Sequence, residues 1–378
     1  MRFMHLADLH LGKNVNGYSL IKDQEYALNQ IIKLIKKEKI ETLLIAGDIY
    51  QSSIPSIEAT KLFSKFLSQL KDLKMRVLII SGNHDSSDRL AYANSFLKDS
   101  EIYISDTYNG KIECVRFEDE YGPINFYLFP YLKPSDVRPY FEEKISSYEE
   151  AIRAVIDSIE INEDERNVIL SHQFILNAEL SDSEEIYAGL LEAVSEKLYD
   201  KFDYVALGHI HKKQNFLGGK ARYPGALLKF SATEANYDKT ITIVNLKEKN
   251  NLRVEEFKID YMRDMRVIKG FYKDIIEASK NDKAREDYIY IELLDEDEIY
   301  DGFNQLRNIY PNIMTYKYKD RQVNVEDLED FAEKTDNKTP LDLFTEFYQT
   351  ILGKDITDDN LEIIKSEIED IWGNDESN

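Results

Sequence analysis

Seven side chains of metal-binding type lie at the ends of five short apolar runs in this chain of 378 residues. Arg2–Ala7 runs into Asp8-Leu9-His10, Thr42–Ala46 into Gly47-Asp48, and Arg76–Ser81 into Gly82-Asn83-His84-Asp85. Asn167–Ser171 ends at His172, and Asp203–Leu207 runs into Gly208-His209-Ile210-His211. Five of the six histidines fall in these clusters, which scattered surface histidines would not do. Asp8, His10, Asp48, Asn83, His172, His209 and His211 together offer two carboxylates, one amide and four imidazoles. That is too many for one tetrahedral zinc. It fits two divalent metal ions roughly 3.5–4 Å apart that share a carboxylate. Nitrogen and oxygen donors without a thiolate favour manganese or iron, with zinc compatible. Asp8 and His10, and again His209 and His211, are spaced to point the same way on an extended chain, with Ile210 turned to the core. A lone Gly-Asp pair after a strand usually marks a turn; the weight comes from five clusters in series.

The elements that must carry these residues alternate. Apolar positions at helical spacing predict a helix near 22–38 and another after Pro55-Ser56, with Leu62, Phe63, Phe66, Leu67 and Leu70 on one face. The five runs are continuously apolar, as strands buried on both faces are. Lys239–Leu246 and Leu252–Ile259 read as an antiparallel ending. In open α/β sheets, sites form beyond the carboxyl ends of strands. The expected fold is a two-sheet α/β sandwich with helices outside, over residues 1–260.

Residues 266–320 read as a small accessory α+β domain, with Asp287–Leu294 a strand, Glu296–Asn308 a helix and Ile313–Tyr318 a strand. Residues 339–373 read as a helix pair. Thr339 is an N-cap, Pro340 occupies the first helical position and Gly353 closes the first helix. Leu343, Phe344, Phe347, Tyr348, Ile351 and Leu352 form a wide apolar face, and Leu361, Ile364, Ile368 and Ile371 a second. Such faces need a surface to cover, a partner protein or the chain's own body.

A formal charge of −23 argues against a broadly basic nucleic-acid surface. Any nucleic acid must be held by a local patch, by metal ions or through a partner. The single cysteine, Cys114, reads as a small core residue and suits a reducing, cytoplasmic setting. The N-terminus lacks the apolar stretch of a signal peptide. No apolar run approaches the roughly 18 residues that span a membrane.

The order D-x-H, G-D, G-N-H-D, H, G-H-x-H resembles that of the calcineurin-like metallophosphoesterases. Within them, His10-Leu11-Gly12-Lys13, Gly82-Asn83-His84-Asp85-Ser86 with Arg89-Leu90, and Gly208-His209-Ile210-His211-Lys212 resemble the SbcD subfamily, the nuclease subunits of bacterial SbcCD complexes. The βαβ unit and the acidic helix pair extend the resemblance over nearly the whole chain. It implies Asp8, His10, Asp48 and His211 on one metal, and Asn83, His172 and His209 on a second that Asp48 bridges. It implies His84 as the catalytic residue, giving a hydrogen bond or proton to the leaving 3′-oxygen during in-line attack on phosphorus. It further implies 3′→5′ double-strand exonuclease and single-strand or hairpin endonuclease activity on DNA, in repair, recombination and replication. The implied partner is an SbcC-like coiled-coil ATPase, docked on the helix pair, with a homodimer inside a heterotetramer. A stand-alone phosphodiesterase or phosphatase for nucleotides or phosphoproteins is the alternative, and would need no helix pair; a non-catalytic adaptor is disfavoured, since all seven candidate ligands and His84 are present.

One position departs from the pattern. Relatives often carry Asp or His three residues after the bridging aspartate, where this chain has Gln51. Its side chain is expected to accept a hydrogen bond from His84 without the charge that stabilises an imidazolium. Asp85 is expected to orient a loop or ligand. Lys13, Arg89 and Lys212, with Lys213, Lys220 and Arg222, are the expected local phosphate contacts. His5, inside the first run, reads as a satisfied core histidine.

Overall fold

Runs such as Leu-Leu-Ile-Ala and Val-Ile-Leu-Ser have no polar face to offer water, so they form strands covered on both sides. The computed structural model describes residues 1–184 and 192–319, and in the tail 341–342, 344–345, 348, 356–357 and 360–365. In chain order the first unit contains β1 (Arg2–Leu6), α1 (Ile21–Glu38), β2 (Thr42–Ala46), α2 (Ile57–Asp72), β3 (Arg76–Ile80) and β4 (Ile102–Ile104). Then follow β5 (Glu113–Asp119), β6 (Gly122–Phe129), α3 (Tyr148–Ser158), β7 (Arg166–Ser171), β8 (Tyr204–Leu207), β9 (Gln214–Phe216), β10 (Ala221–Tyr223), β11 (Thr240–Leu246) and β12 (Leu252–Lys258).

Two six-stranded sheets result, ordered β12-β11-β1-β2-β3-β4 and β9-β10-β8-β7-β6-β5. The ligand-bearing strands are parallel neighbours: β1 with β2, β2 with β3, and β7 with β8. Their carboxyl ends therefore emerge on one edge of each sheet. Alternate residues serve opposite layers. Val168 and Leu170 of β7, with Tyr204 and Ala206 of β8, meet Phe3, Leu44 and Leu78 between the sheets. Ile169, Val205 and Leu207 face the other way, onto Ile152, Val155 and Ile156 of α3. Each fully buried side chain of this kind contributes about 1.5–3 kcal/mol. α1 and α2 bury Ile31, Ile35, Leu62, Phe66 and Leu70, and Ser56 caps α2 by accepting from the Ala59 N–H at 3.2 Å. The α/β sandwich flanked by helices is as expected.

His5 is buried as a core histidine, its Nε2 donating to the Leu207 carbonyl (3.2 Å) and its Nδ1 accepting from the Tyr204 hydroxyl (2.9 Å). Cys114 departs from expectation. It is exposed, because β5 is an edge strand whose alternate residues face outward.

The chain divides into Met1–Arg266 with Glu286–Ile289, and Val267–Arg285 with Tyr290–Asn378. Most of the sheet β13 (Met265–Gly270), β14 (Tyr288–Leu293) and β15 (Ile313–Tyr318), with α4 (Tyr272–Ser279) and α5 (Gly302–Arg307), falls in the second unit. β13 and α4 precede the elements expected there; β13 buries Met265 alone, so it leaves little periodic signal. α5 is shorter than the expected Glu296–Asn308. Four successive carboxylates at 295–298 repel one another, and Asp301 adopts a left-handed φ of 54° that starts the helix late. Most of the expected helix pair at 339–373 lies outside the described residues; 341–342, 344–345, 348 and 360–365 are helical. No described helix is long and apolar enough to cross a membrane.

Candidate metal centre

The strand ends turn sharply. Asp8 (φ 53°), His10 (43°), Asp48 (50°) and His209 (109°) all have positive φ, at a cost of order 1–3 kcal/mol each. The extended chain expected at Asp8–His10 and His209–His211 is therefore not what aligns these side chains. β1 stops at Leu6, and the two segments after β1 and β2 brace each other through their backbones. The N–H groups of Asp8, His10 and Leu11 donate to the carbonyls of Gly47, Asp48 and Ile49 at 3.1, 3.0 and 2.9 Å. Glycine is required where the loops converge. A Cβ on Gly82 would fall 2.1 Å from Asp48 Oδ1, and one on Gly208 would fall 1.8 Å from the Ala46 carbonyl oxygen.

Asp48 sits where two donor groups meet. Its Oδ1 accepts from the His84 backbone N–H at 2.9 Å, which leaves Oδ2 to face 3.6 Å to His10 Nε2 and 3.4 Å to His172 Nε2. On one side, His10 Nε2 and His211 Nε2 lie 2.9 Å apart, with Asp8 beside them. On the other, Asn83 Oδ1 lies 3.0 Å from His172 Nε2 and 3.1 Å from His209 Nδ1. All seven candidate ligands thus converge, and Ile210 is buried beneath them.

The electrostatics fit a cation among these donors. Asp8 Oδ1 accepts from the His209 N–H at 2.9 Å, while Oδ2 is fully buried with no hydrogen-bond partner. Burial, with the Asp48 carboxylate adding to it, pushes Asp8 well above the usual carboxylate range. Burial lowers His10 to about 3 and lowers His211 as well, so both rings are neutral with a lone pair to give. Burial also works against the charged form of His172, but the Asp48 carboxylate outweighs it and raises the ring to about 9. A buried carboxylate that draws a proton onto its neighbouring imidazole is one that a divalent ion would satisfy better. The residues present therefore fit a divalent metal pair, with Asp48 between the two groups.

His84 lines the same cleft. Its Nδ1 donates to the Gln51 backbone carbonyl at 3.0 Å, and its Nε2 lies 4.0 Å from Asp48 Oδ2. The expected bond to the Gln51 side chain is replaced by this backbone contact, because Gln51 Oε1 accepts from Lys13 Nζ at 3.1 Å instead. Asp85 accepts from the N–H groups of Ile49 (3.1 Å), Tyr50 (3.0 Å) and Gly82 (2.9 Å), tying together the loops after β2 and β3. Burial, then the nearby Asp48 charge, raises Asp85 to about 6.

The expected basic patch is not assembled. Lys13 lines the cleft, but Arg89 lines a separate cavity of about 330 Å³ with Tyr50, Phe63, Leu67 and Ile102. Lys212 is paired with Glu179, and Lys213 and Arg222 with Glu256. Arg222 is buried besides. In so acidic a chain these cations are neutralised locally. The cleft, of about 360 Å³, is lined instead by Lys13, Lys133, Tyr131, Ser183, Glu184 and Glu192 together with the candidate ligands. Sequence reading missed Tyr131, Lys133, Ser183, Glu184 and Glu192. One signal was available: Ser181-x-x-Glu184 has the spacing of a capping box, and Glu184 does reach back to the Ser181 N–H.

A two-sheet sandwich whose strand ends deliver Asp, Asn and His donors to one cleft defines a metal-dependent phosphoesterase. The chain matches the calcineurin-like phosphoesterase family over residues 1–213, more than half its length, and belongs to that family. It is accordingly a metal-dependent hydrolase. Residues 261–351 match a second family, SbcD_C, described as the type 5 capsule protein repressor C-terminal domain. Among solved structures, TT1561 of Thermus thermophilus is 12% identical with a TM-score of 0.40, over 68% of this chain and 98% of that one. A novel archaeal phosphodiesterase is 14% identical (TM-score 0.33, 68% and 100% covered). A dimetal phosphatase from Danio rerio is 12% identical (TM-score 0.37, 69% and 99% covered).

Proposed function

We propose that this protein is an SbcD-like DNA nuclease, cutting phosphodiester bonds with two divalent ions, manganese foremost, as the partner of an SbcC-like coiled-coil ATPase. The observation that carries the hydrolytic part is the meeting of two donor groups at Asp48 Oδ2. The match of residues 261–351 to the SbcD_C family supports the choice of DNA over a small phosphoester. Asp8, His10, Asp48 and His211 would hold one ion, and Asp48, Asn83, His172 and His209 the other. Bound there, the ions supply positive charge and Lewis acidity to the phosphate. The chain's own residues do the rest. Asp85 fixes the two loops that present Asp48 and Asn83. The Gln51 carbonyl holds the His84 ring so that Nε2 faces the cleft and can exchange a proton with the leaving oxygen. Lys13 and Lys133 place local positive charge at the cleft within an otherwise acidic protein.

The test is a cleavage assay on linear duplex, hairpin and single-stranded DNA beside cyclic nucleotides. It is run in manganese, magnesium or chelator, with and without the ATPase. Manganese-dependent DNA cleavage that the ATPase stimulates, and that His84→Ala slows by about 10²–10⁴-fold, is expected. Hydrolysis of cyclic nucleotides alone would favour the stand-alone phosphodiesterase instead.

A further inference from the structure

His211 is oriented from outside the two sheets. Its Nδ1 lies 2.6 Å from Ser183 Oγ, and Ser183 Oγ lies 2.7 Å from Glu234 Oε1. Glu234 is completely buried, and its other oxygen is held by Lys239, itself buried. Lys239 Nζ also donates to the His211 carbonyl at 2.8 Å. Four side chains from three chain segments thus form one line: Lys239, Glu234, Ser183, His211.

The direction of the hydrogens follows from what each group can give. Ser183 Oγ also lies 2.7 Å from Ser181 Oγ, which donates to Glu184 Oε2. A carboxylate held by an ammonium can only accept, so the single hydroxyl hydrogen of Ser183 goes to Glu234 rather than to the His211 ring. Ser183 Oγ is then left to accept from His211, which places the ring hydrogen on Nδ1. A neutral imidazole with its hydrogen on Nδ1 has its lone pair on Nε2, the atom that faces His10 Nε2 at 2.9 Å. Outer partners that fix a ligand's tautomer typically change metal affinity 10–100-fold when removed.

We infer that Ser183, Glu234 and Lys239 are positioning residues that lock His211 in its Nδ1–H form and so set the affinity of the Asp8–His10–His211 side for its ion. The inference rests on the metal role proposed for His211. It adds that this side is tuned by a hydroxyl on the 181–184 turn, and that the His172 side is not.

The test uses the full-length protein with ¹⁵N-labelled histidine. Long-range ¹H–¹⁵N spectra of the metal-free protein report the tautomer of each of the six rings. Manganese titration by calorimetry then reports the affinity of each binding step. The wild type is expected to show His211 with hydrogen on Nδ1. Ser183→Ala is expected to give mixed tautomers and one binding step weakened 10–100-fold, with the other unchanged. Ser183→Thr, which keeps the hydroxyl, should restore both readouts, whereas a packing defect would not be rescued so. An Nε2–H ring in the wild type, unchanged spectra and affinities in Ser183→Ala, or equal weakening of both steps would overturn the inference. Normal two-step manganese binding without DNA cleavage would count against the nuclease reading and leave the relay standing. No manganese binding by the wild type would sink both.

Discussion

His172 and His211 serve opposite sides of one centre, and they are held by different means. The His172 ring donates its Nδ1 hydrogen to the Ala46 carbonyl, at the end of β2, at 2.8 Å. His211 leans on the Ser183 hydroxyl, on a turn that belongs to neither sheet. The first side is built from strand ends and backbone, so the parallel pairing that makes the fold also makes the site. On the second side Asp8 and His10 are braced by backbone in the same way, and the His211 ring alone depends on side chains that a single substitution can alter. A centre made this way has one histidine fixed by topology and one open to adjustment. The glycines at the strand ends are the cost of the fixed side, since no Cβ fits between its backbone and its ligands.

The comparison can be broken most severely at Gly208. A Cβ there meets both the Ala46 oxygen and, at 2.8 Å, His172 Nδ1, the two partners of the bond that holds the fixed side. Gly208→Ala should abolish hydrolysis and destabilise the protein by about 1–3 kcal/mol, as read by chemical denaturation. Wild-type activity in that variant would show that the backbone contact is dispensable. His84→Ala comes next. His84 lies close to His10 and Asp48, but the proposed ligand sets leave it out, so the substitution should slow cleavage by about 10²–10⁴-fold while both manganese-binding steps stay intact. Altered metal binding would make His84 a ligand rather than a proton carrier.

A smaller effect concerns His5, which ties β1 to β8 beneath both sides. Burial, reinforced by Arg222, lowers its ring to about 3, whereas an unfolded histidine titrates near 6.5. Between those values the unfolded chain binds the extra proton, so His5 makes stability fall as pH drops through that window and has no such effect above it. His5→Gln should remove up to about 1.4 kcal/mol per pH unit from the slope of stability against pH. An unchanged slope, measured by denaturation from pH 4 to 7, would contradict this. The least effect is expected at Gln51. Because its side chain meets Lys13 and its backbone meets His84, Gln51→Asp should leave the pH dependence of the rate unchanged. A shifted alkaline limb would mean that the side chain does reach His84.

Continuous apolar runs and the residues at their ends made the sandwich and the donor types legible, because burial on both faces leaves a plain mark on composition. Left-handed turns at Asp8, His10 and Asp48 were not legible, since nothing local demands them; they exist because the loops after β1 and β2 pair. Ser183 and Glu234 were hidden for the same reason. They lie 28 and 23 residues from His211 in sequence, and only folding brings their polar atoms into line. Cys114 misled because a small residue in a strand is apolar by type, while edge position decides exposure. Arg89 and Lys212 do not line the cleft, because nearness in sequence to a cluster does not set where a long side chain points.

The most direct test of the account is the number of manganese ions bound by the wild type, Asn83→Ala and Asp48→Asn, measured by calorimetry with elemental analysis. If Asp48 joins two donor groups, the wild type binds two ions, Asn83→Ala loses affinity for one, and Asp48→Asn loses affinity for both. A single ion in the wild type, or two retained tightly by Asp48→Asn, would contradict it.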